Sequence, residues 1–295
     1  MDTQRAFDWL NDSTHPLTQH RLISEFPARF GQEHRHLAAR SAMATLPQAQ
    51  DRGWMAETKG LWLIYHLSAL AECALTRELL DAEPAVRRAL EQPPDCGCGE
   101  ALALRALVML GWGQEPQVRA RLEAFCSHQL PDGGWFCLNR LQKRHSPSKS
   151  CYRDALHGLL LAGECAKRGI PFAGAAGVAD YFLRRNLFYR TGDPTGPVLD
   201  LRPGWRPQDT FYPFEAMRVG IQNIVESLCA LGLGGHGALT EAWALLAAHT
   251  GEQSRLLLDG TLQRSWLPRE AVGRPSRWVT LYALMAETEN MEKQE

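Results

Sequence analysis

Apolar positions along this 295-residue chain fall into two alternating kinds of segment. In one kind they recur every three or four residues and leave a polar face; in the other nearly every side is apolar. A turn rich in Gly, Trp or Pro separates the two, and the pairing recurs, which predicts a series of helical hairpins. Five units can be traced. His34 to Leu46 leads through Gln50-Asp51-Arg52-Gly53-Trp54 to the apolar stretch Gly60 to Leu67, and Glu83 to Leu90 leads through Pro93-Pro94-Asp95-Cys96-Gly97-Cys98 to Ala101 through Val108. Gln117 to His128 turns at Gln129-Leu130-Pro131-Asp132-Gly133-Gly134-Trp135 and resumes at Cys151 to Leu156. Gly174 to Arg185 pairs with Phe214 to Leu231, and Leu239 to Ala248 pairs, past Gln263-Arg264-Ser265-Trp266, with Trp278 to Ala286. Strand-like alternation is nearly absent.

Pro213 and Pro275 are expected in first helical turns, where the missing amide hydrogen costs nothing. Gly111, Gly163 and Gly232 are expected to end apolar helices as C-terminal caps. A helix apolar on most sides must be covered on most sides, so the alternation implies two concentric layers with the apolar helices innermost. An open solenoid is the rival, but its repeats keep a near-constant length, whereas these carry long insertions. Residues 1–33 read as an N-terminal helical extension, with helices around Phe7 to Leu10 and Leu17 to Phe26; 34–288 form the repeat domain, and 289–295 a frayed polar tail.

Gln129-Leu130-Pro131-Asp132-Gly133-Gly134-Trp135, with Phe125 before it, resembles the Gln-Trp motif of squalene-type cyclases and protein prenyltransferase β subunits, the prenyltransferase and squalene oxidase repeat family. Gln50 to Trp54 and Gln263 to Trp266 resemble degenerate copies. The resemblance implies an all-α fold, an α/α toroid of about five hairpins with inner and outer helix rings around a central cavity. It also implies that the Gln caps a neighbouring helix and the Trp stacks there. The family's catalytic signatures do not follow. The chain has no Asp-x-Asp-Asp, whose crowded carboxylates keep a proton for class II cyclisation, and no Asp-Asp-x-x-Asp magnesium motif. Prenyltransferases hold zinc with Asp, Cys and His and need a separate α subunit, and this chain offers a different ligand pattern.

A formal net charge of −1 and a pI near 6.8 argue against a nucleic-acid footprint, so any anion site is local. The opening residues lack the basic segment and apolar run of a signal peptide, and no stretch reaches the roughly 18 to 20 apolar residues of a membrane span. The expected compartment is the cytoplasm, where the eight cysteines stay reduced.

Four of those cysteines sit at turn ends of neighbouring units: Cys96, Cys98, Cys137 and Cys151. Four thiolates at about 2.3 Å around zinc make a closed structural site, and His145 or Asp95 in place of one thiolate would open a position. The alternative is four separate reduced thiols, which are commonly buried. Cys73, Cys126, Cys165 and Cys229 fall inside helices and read as packing. Arg144, Lys149 and Arg153 gather positive charge before an apolar helix, and Arg274 and Arg277 do so before the last one; both groups suit an anion such as a diphosphate, or a solvated loop. Trp62, Tyr65, Trp205, Tyr212, Phe214 and Trp278 are the aromatic candidates for a cavity wall, or for core. Asp154 and Glu215 are the carboxylates placed to face inward, although a helix N-terminus favours capping over general-acid chemistry. The expectation is a terpene cyclase- or prenyltransferase-like toroid, with or without enzymatic activity, that holds an apolar or isoprenoid molecule. Its rival is a non-catalytic toroidal binding or scaffold protein with structural zinc, and a protein partner fits either.

Overall fold

The computed structural model describes residues 1–94, 97–136, 149–199, 202–213, 218–261 and 267–292. The described chain is mostly helical, with one two-stranded antiparallel hairpin formed by β1 (Tyr189–Arg190) and β2 (Asp193–Pro197). The helices are α1 (Thr3–Leu10), α2 (Pro16–Glu25), α3 (Gln32–Thr45), α4 (Pro47–Gln50), α5 (Trp54–Glu57), α6 (Gly60–Glu72), α7 (Glu83–Glu91), α8 (Gly97–Leu107), α9 (Pro116–Ser127), α10 (Tyr152–Lys167), α11 (Ala175–Leu183), α12 (Ile221–Ala230), α13 (Thr240–His249) and α14 (Arg277–Glu292).

Two burial classes match the two kinds of segment. All of α12 is buried, as are Asp154 through Cys165 of α10 and Arg277 through Ala286 of α14. The intervening helices bury only a stripe three or four residues apart: Ala38 and Ala42 in α3, Ala85 and Ala89 in α7, Val118, Leu122 and Phe125 in α9. Among the buried helices, α6 packs on α8, α8 on α10, α10 on α12 and α12 on α14. In turn α14 packs on α2, and α2 reaches the end of α6: His20 Nδ1 donates to the Cys73 carbonyl (2.8 Å) and Arg21 Nη1 to that of Ala71 (3.0 Å).

The N-terminal segment is therefore part of the interior. Helix α1 packs on α14, and Arg277 donates to the Trp9 carbonyl (2.5 Å) and pairs with Asp12 (2.9 Å).

Not every helix end follows expectation. Gly163 does not stop its helix: it lies inside α10, where a Cβ would stand 2.9 Å from Ser227 Cα, so its smallness serves the α10–α12 contact. The fourth apolar helix is described from Ile221, after Gly220, with the Gln222 amide donating back to the Phe211 carbonyl; the residues that follow Pro213, from 214 to 217, lie outside the described residues. Pro275 likewise precedes α14, two residues before its start at Arg277. Gly111 and Gly232 do sit past helix ends at φ of +90° and +81°, a left-handed conformation that glycine takes without a Cβ penalty.

Candidate functional site

The described interior holds a charged cluster that the sequence reading did not single out. Arg105 of α8 donates to Glu72 of α6 (2.6 Å), to Glu164 of α10 (3.2 Å) and to the Tyr282 hydroxyl of α14 (2.8 Å). Tyr282 in turn donates to the second oxygen of Glu72 at 2.7 Å. Arg21 of α2 pairs with Glu25 (2.8 Å) and approaches Glu164 (3.7 Å), while Lys167 lies 3.3 Å from Glu164 and also binds Glu226 of α12. Arg168 binds Glu164 as well. Arg21, Glu72, Arg105 and Glu164 are at most 2% exposed. Burial opposes the charges on Arg21, Arg105, Glu164 and Lys167. The cations around Glu164 nevertheless hold its carboxyl well below the usual range, and Glu72, Tyr282 and Glu164 hold Arg105 charged.

Glu25, Glu72, Arg105, Glu164, Lys167 and Arg168 lie toward the C-terminal ends of their helices or just past them, while Tyr282 comes from the first half of α14. The N-terminal ends of α6, α8 and α10 carry much of the expected site. Asp154, 1% exposed, stands in the first turn of α10, and its Oδ1 would lie 3.2 Å from a Cβ on Gly97, the first residue of α8. It therefore packs against a helix N-terminus, where backbone amides favour a carboxylate. Cys98 is buried one residue further on, and Cys151 caps α10, its amide bonded to the Trp135 carbonyl at 2.8 Å. Among the described residues no three His, Cys, Asp or Glu side chains are grouped to hold a metal. Cys96, Cys137, Asp95 and His145, with Arg144, Phe214 and Glu215, lie outside the described residues. Burial raises the Cys73, Cys126 and Cys165 thiols, in keeping with packed cysteines.

The aromatic candidates divide. Trp62 is 53% exposed at the start of α6, with Tyr65 edge-on at 6.3 Å. Trp205 lies under the Arg218 guanidinium, 3.3 Å from the ring centroid. Tyr212 and Trp278, candidates for cavity wall or core, are buried at 1% and 2% exposure, and the Tyr212 hydroxyl accepts from the Glu270 amide. The cations divide too. Lys149 and Arg274 are exposed, and Arg153 is half-buried with a buried Nε that has no hydrogen-bond partner among the described residues. Arg277 is engaged within the fold: its terminal nitrogens are held by Trp9 and Asp12, and its guanidinium stacks 4.5 Å from the Trp9 ring.

The Gln-Trp turn is built as a tie between helices. Trp135 donates to the Phe125 carbonyl (2.9 Å) and stacks on the Phe125 ring at 4.6 Å; a Cβ on Gly158 of α10 would lie 2.3 Å from its indole. Gln129 donates to the carbonyls of Gly133 (2.8 Å) and Gly174 (2.9 Å), the latter capping α11. Trp54 repeats the indole bond, to the Gln48 carbonyl at 2.9 Å, and stacks on His66 at 4.6 Å.

Grooves of about 800 Å3 between α7 and α9 and about 780 Å3 along α3 open on the outer face, away from the aromatic candidates. No helix among the described residues is long and apolar enough to cross a membrane. Family models, curated proteins and solved structures were all compared with the chain, and none matches it.

Proposed function

We propose that the chain is an α/α toroid of the terpenoid cyclase and prenyltransferase type, closed by six inner helices, whose rim at the inner-helix N-termini binds an apolar or isoprenoid ligand. The observation that carries the ring is Arg105, which bonds in one place to α6, α10 and α14 from α8. The succession of contacts from α6 round to α14 and α2 supports the same closure, with α2 as the sixth inner helix and α1 as its outer partner. A charged cluster at the C-terminal ends leaves the opposite rim as the entrance. There the exposed Trp62 beside Tyr65 offers an apolar wall, and Arg153 and Lys149 offer charge for an anionic head group.

Thermal-shift measurements with farnesyl and geranylgeranyl diphosphates test this reading. Ligand at a hundredfold excess over its Kd stabilises the folded chain by about 2.7 kcal/mol. The expected shift is a few degrees upward, reduced in Arg153→Ala and Trp62→Ala; indifference to both ligands overturns it.

Zinc belongs to the proposal as a structural ion held by Cys96, Cys98, Cys137 and Cys151. Cys98 and Cys151 fit that role so far as both sit at N-terminal ends of two helices in contact, where thiolate is favoured. About one equivalent of zinc is expected in the purified protein and none in a Cys98→Ser/Cys151→Ser variant. A metal-free, folded wild type returns the cysteines to packing.

The second reading is a non-catalytic toroidal binding or scaffold protein, with any activity of the ring lost. It is favoured by the burial of Tyr212 and Trp278 in the core and by the side chains that meet at Arg105, since both fill space that a substrate cavity would need. Under that reading, isoprenoid diphosphates leave the melting temperature unchanged and a protein partner co-purifies.

A further inference from the structure

Around the C-terminal mouth the buried charges do not balance. The groups that face one another there are Arg21 and Glu25 from α2, Glu72 from α6, Arg105 from α8, Glu164, Lys167 and Arg168 from α10, Glu226 from α12, and Tyr282 and Glu289 from α14. Four are cations and five are carboxylates. Every cation is already engaged: Arg105 by Glu72 and Glu164, Arg21 by Glu25, Arg168 by Glu164, and Lys167 between Glu164 and Glu226. Glu289 forms an ion pair with none of them, although Lys167 pulls its carboxyl down from a distance, and its Oε2 is buried with no hydrogen-bond partner among the described residues. It borders a void of about 340 Å3 lined also by Glu25, Lys167, Met285 and Thr288. The ends of α2, α10 and α12 converge on the same place, and helix C-termini disfavour a further negative charge.

We infer that the C-terminal mouth is a proton-dependent closure, in which Glu289 enters the interior as the neutral acid beside Glu226 and its ionisation loosens α14 from α10 and α12. This does not depend on what the rim binds. Burial and then the neighbouring Glu226 push the Glu289 carboxyl up to about 8, and burial raises Glu226 against the pull of Lys167. The ordinary Glu value is 4.5, so below pH 4.5 folded and unfolded chains both carry the proton and its stabilising contribution is fully present. From 4.5 to about 8 only the folded chain holds the proton, and stability falls as pH rises, by up to about tenfold in the unfolding constant per pH unit. Above that the contribution is gone and the dependence ends.

Urea unfolding of wild type, Glu289→Gln and the control Glu292→Gln across this window tests the closure. Glutamine cannot ionise, so Glu289→Gln should match wild type near pH 5 and become progressively the more stable, by about a hundredfold or more in the unfolding constant at pH 8, with a constant gap beyond. Glu292 borders the same void but is exposed at the helix end, so its change should leave the pH dependence as in wild type. Amide exchange over residues 284–292, corrected for intrinsic rate, should rise through the same window in wild type alone. Parallel pH curves for wild type and Glu289→Gln overturn the inference. So does wild-type exchange that stays flat with pH, a reading available even if the variant does not fold.

Discussion

An Arg105→Ala variant is expected to lose about 3–5 kcal/mol of stability, read as a lower urea midpoint at pH 7. The guanidinium is 2% exposed and is Glu72's only cationic partner among the described contacts. Removing it leaves a wholly buried carboxylate with no directly paired cation, only the more distant Arg21 guanidinium, and takes a donor from the Tyr282 hydroxyl. Glu164 suffers less, since Arg21, Lys167 and Arg168 remain around it. That asymmetry sets up a control. A double variant, Arg105→Met with Glu72→Met, removes the pair together and replaces it by apolar volume, so it should recover most of the loss. A further Tyr282→Phe change should couple strongly to Arg105→Ala despite the 177 residues between them, because the two share one hydrogen bond. An Arg105→Ala midpoint equal to wild type would remove the cluster from any role in holding α6, α8, α10 and α14 together.

The cluster also shows where a pattern of apolar and polar positions stops informing. The alternation of apolar and polar-faced helices was legible because burial on all sides needs apolar residues on all sides. Helix α2 was read as part of an N-terminal extension, and its polar Thr18, Gln19, His20 and Arg21 are all buried. What makes their burial tolerable is non-local. The end of α6 presents the Ala71 and Cys73 carbonyls, and only the assembled fold shows that Arg21 and His20 donate to them. A usable signal did exist. Arg105, Glu72 and Glu164 each interrupt a segment otherwise apolar on every side, and a charge in such a segment needs an opposite charge from another element. Three interruptions of mixed sign, near the ends of three apolar segments, pointed to one another.

At the rim, the sequence located residues better than roles. Asp154 was expected to face inward as a capping carboxylate, and it sits in a first helical turn against the start of α8. Arg277 was grouped with mouth arginines by its nearness to Arg274, but one turn of helix separates solvent from core: Arg274 is exposed while Arg277 is 7% exposed and holds α1 in place. Tyr212 and Trp278 were left between wall and core because apolar helices that line a cavity and apolar helices that fill one have the same periodicity.

Trp135→Ala should be the most damaging single change in the turns, at about 3–5 kcal/mol by chemical denaturation. The indole is 2% exposed, stacks on Phe125 of α9 and fills the space left by Gly158 on α10, so its loss opens a cavity between two helices as well as breaking the bond to the Phe125 carbonyl. Gln129→Ala removes the two bonds that tie the same turn to Gly133 and to the cap of α11, and should cost less, about 1–2 kcal/mol. Both side chains converge on Gly174, at 3.3 Å from its Cβ position in each case, so the two losses should not add. Trp62→Ala gives the contrast. That indole is 53% exposed, and its removal should stay within about 0.5 kcal/mol of wild type. Similar small losses for Trp62 and Trp135 would mean that the Gln-Trp turn does not tie neighbouring helices, and the resemblance to cyclase and prenyltransferase rings would then lose its structural content.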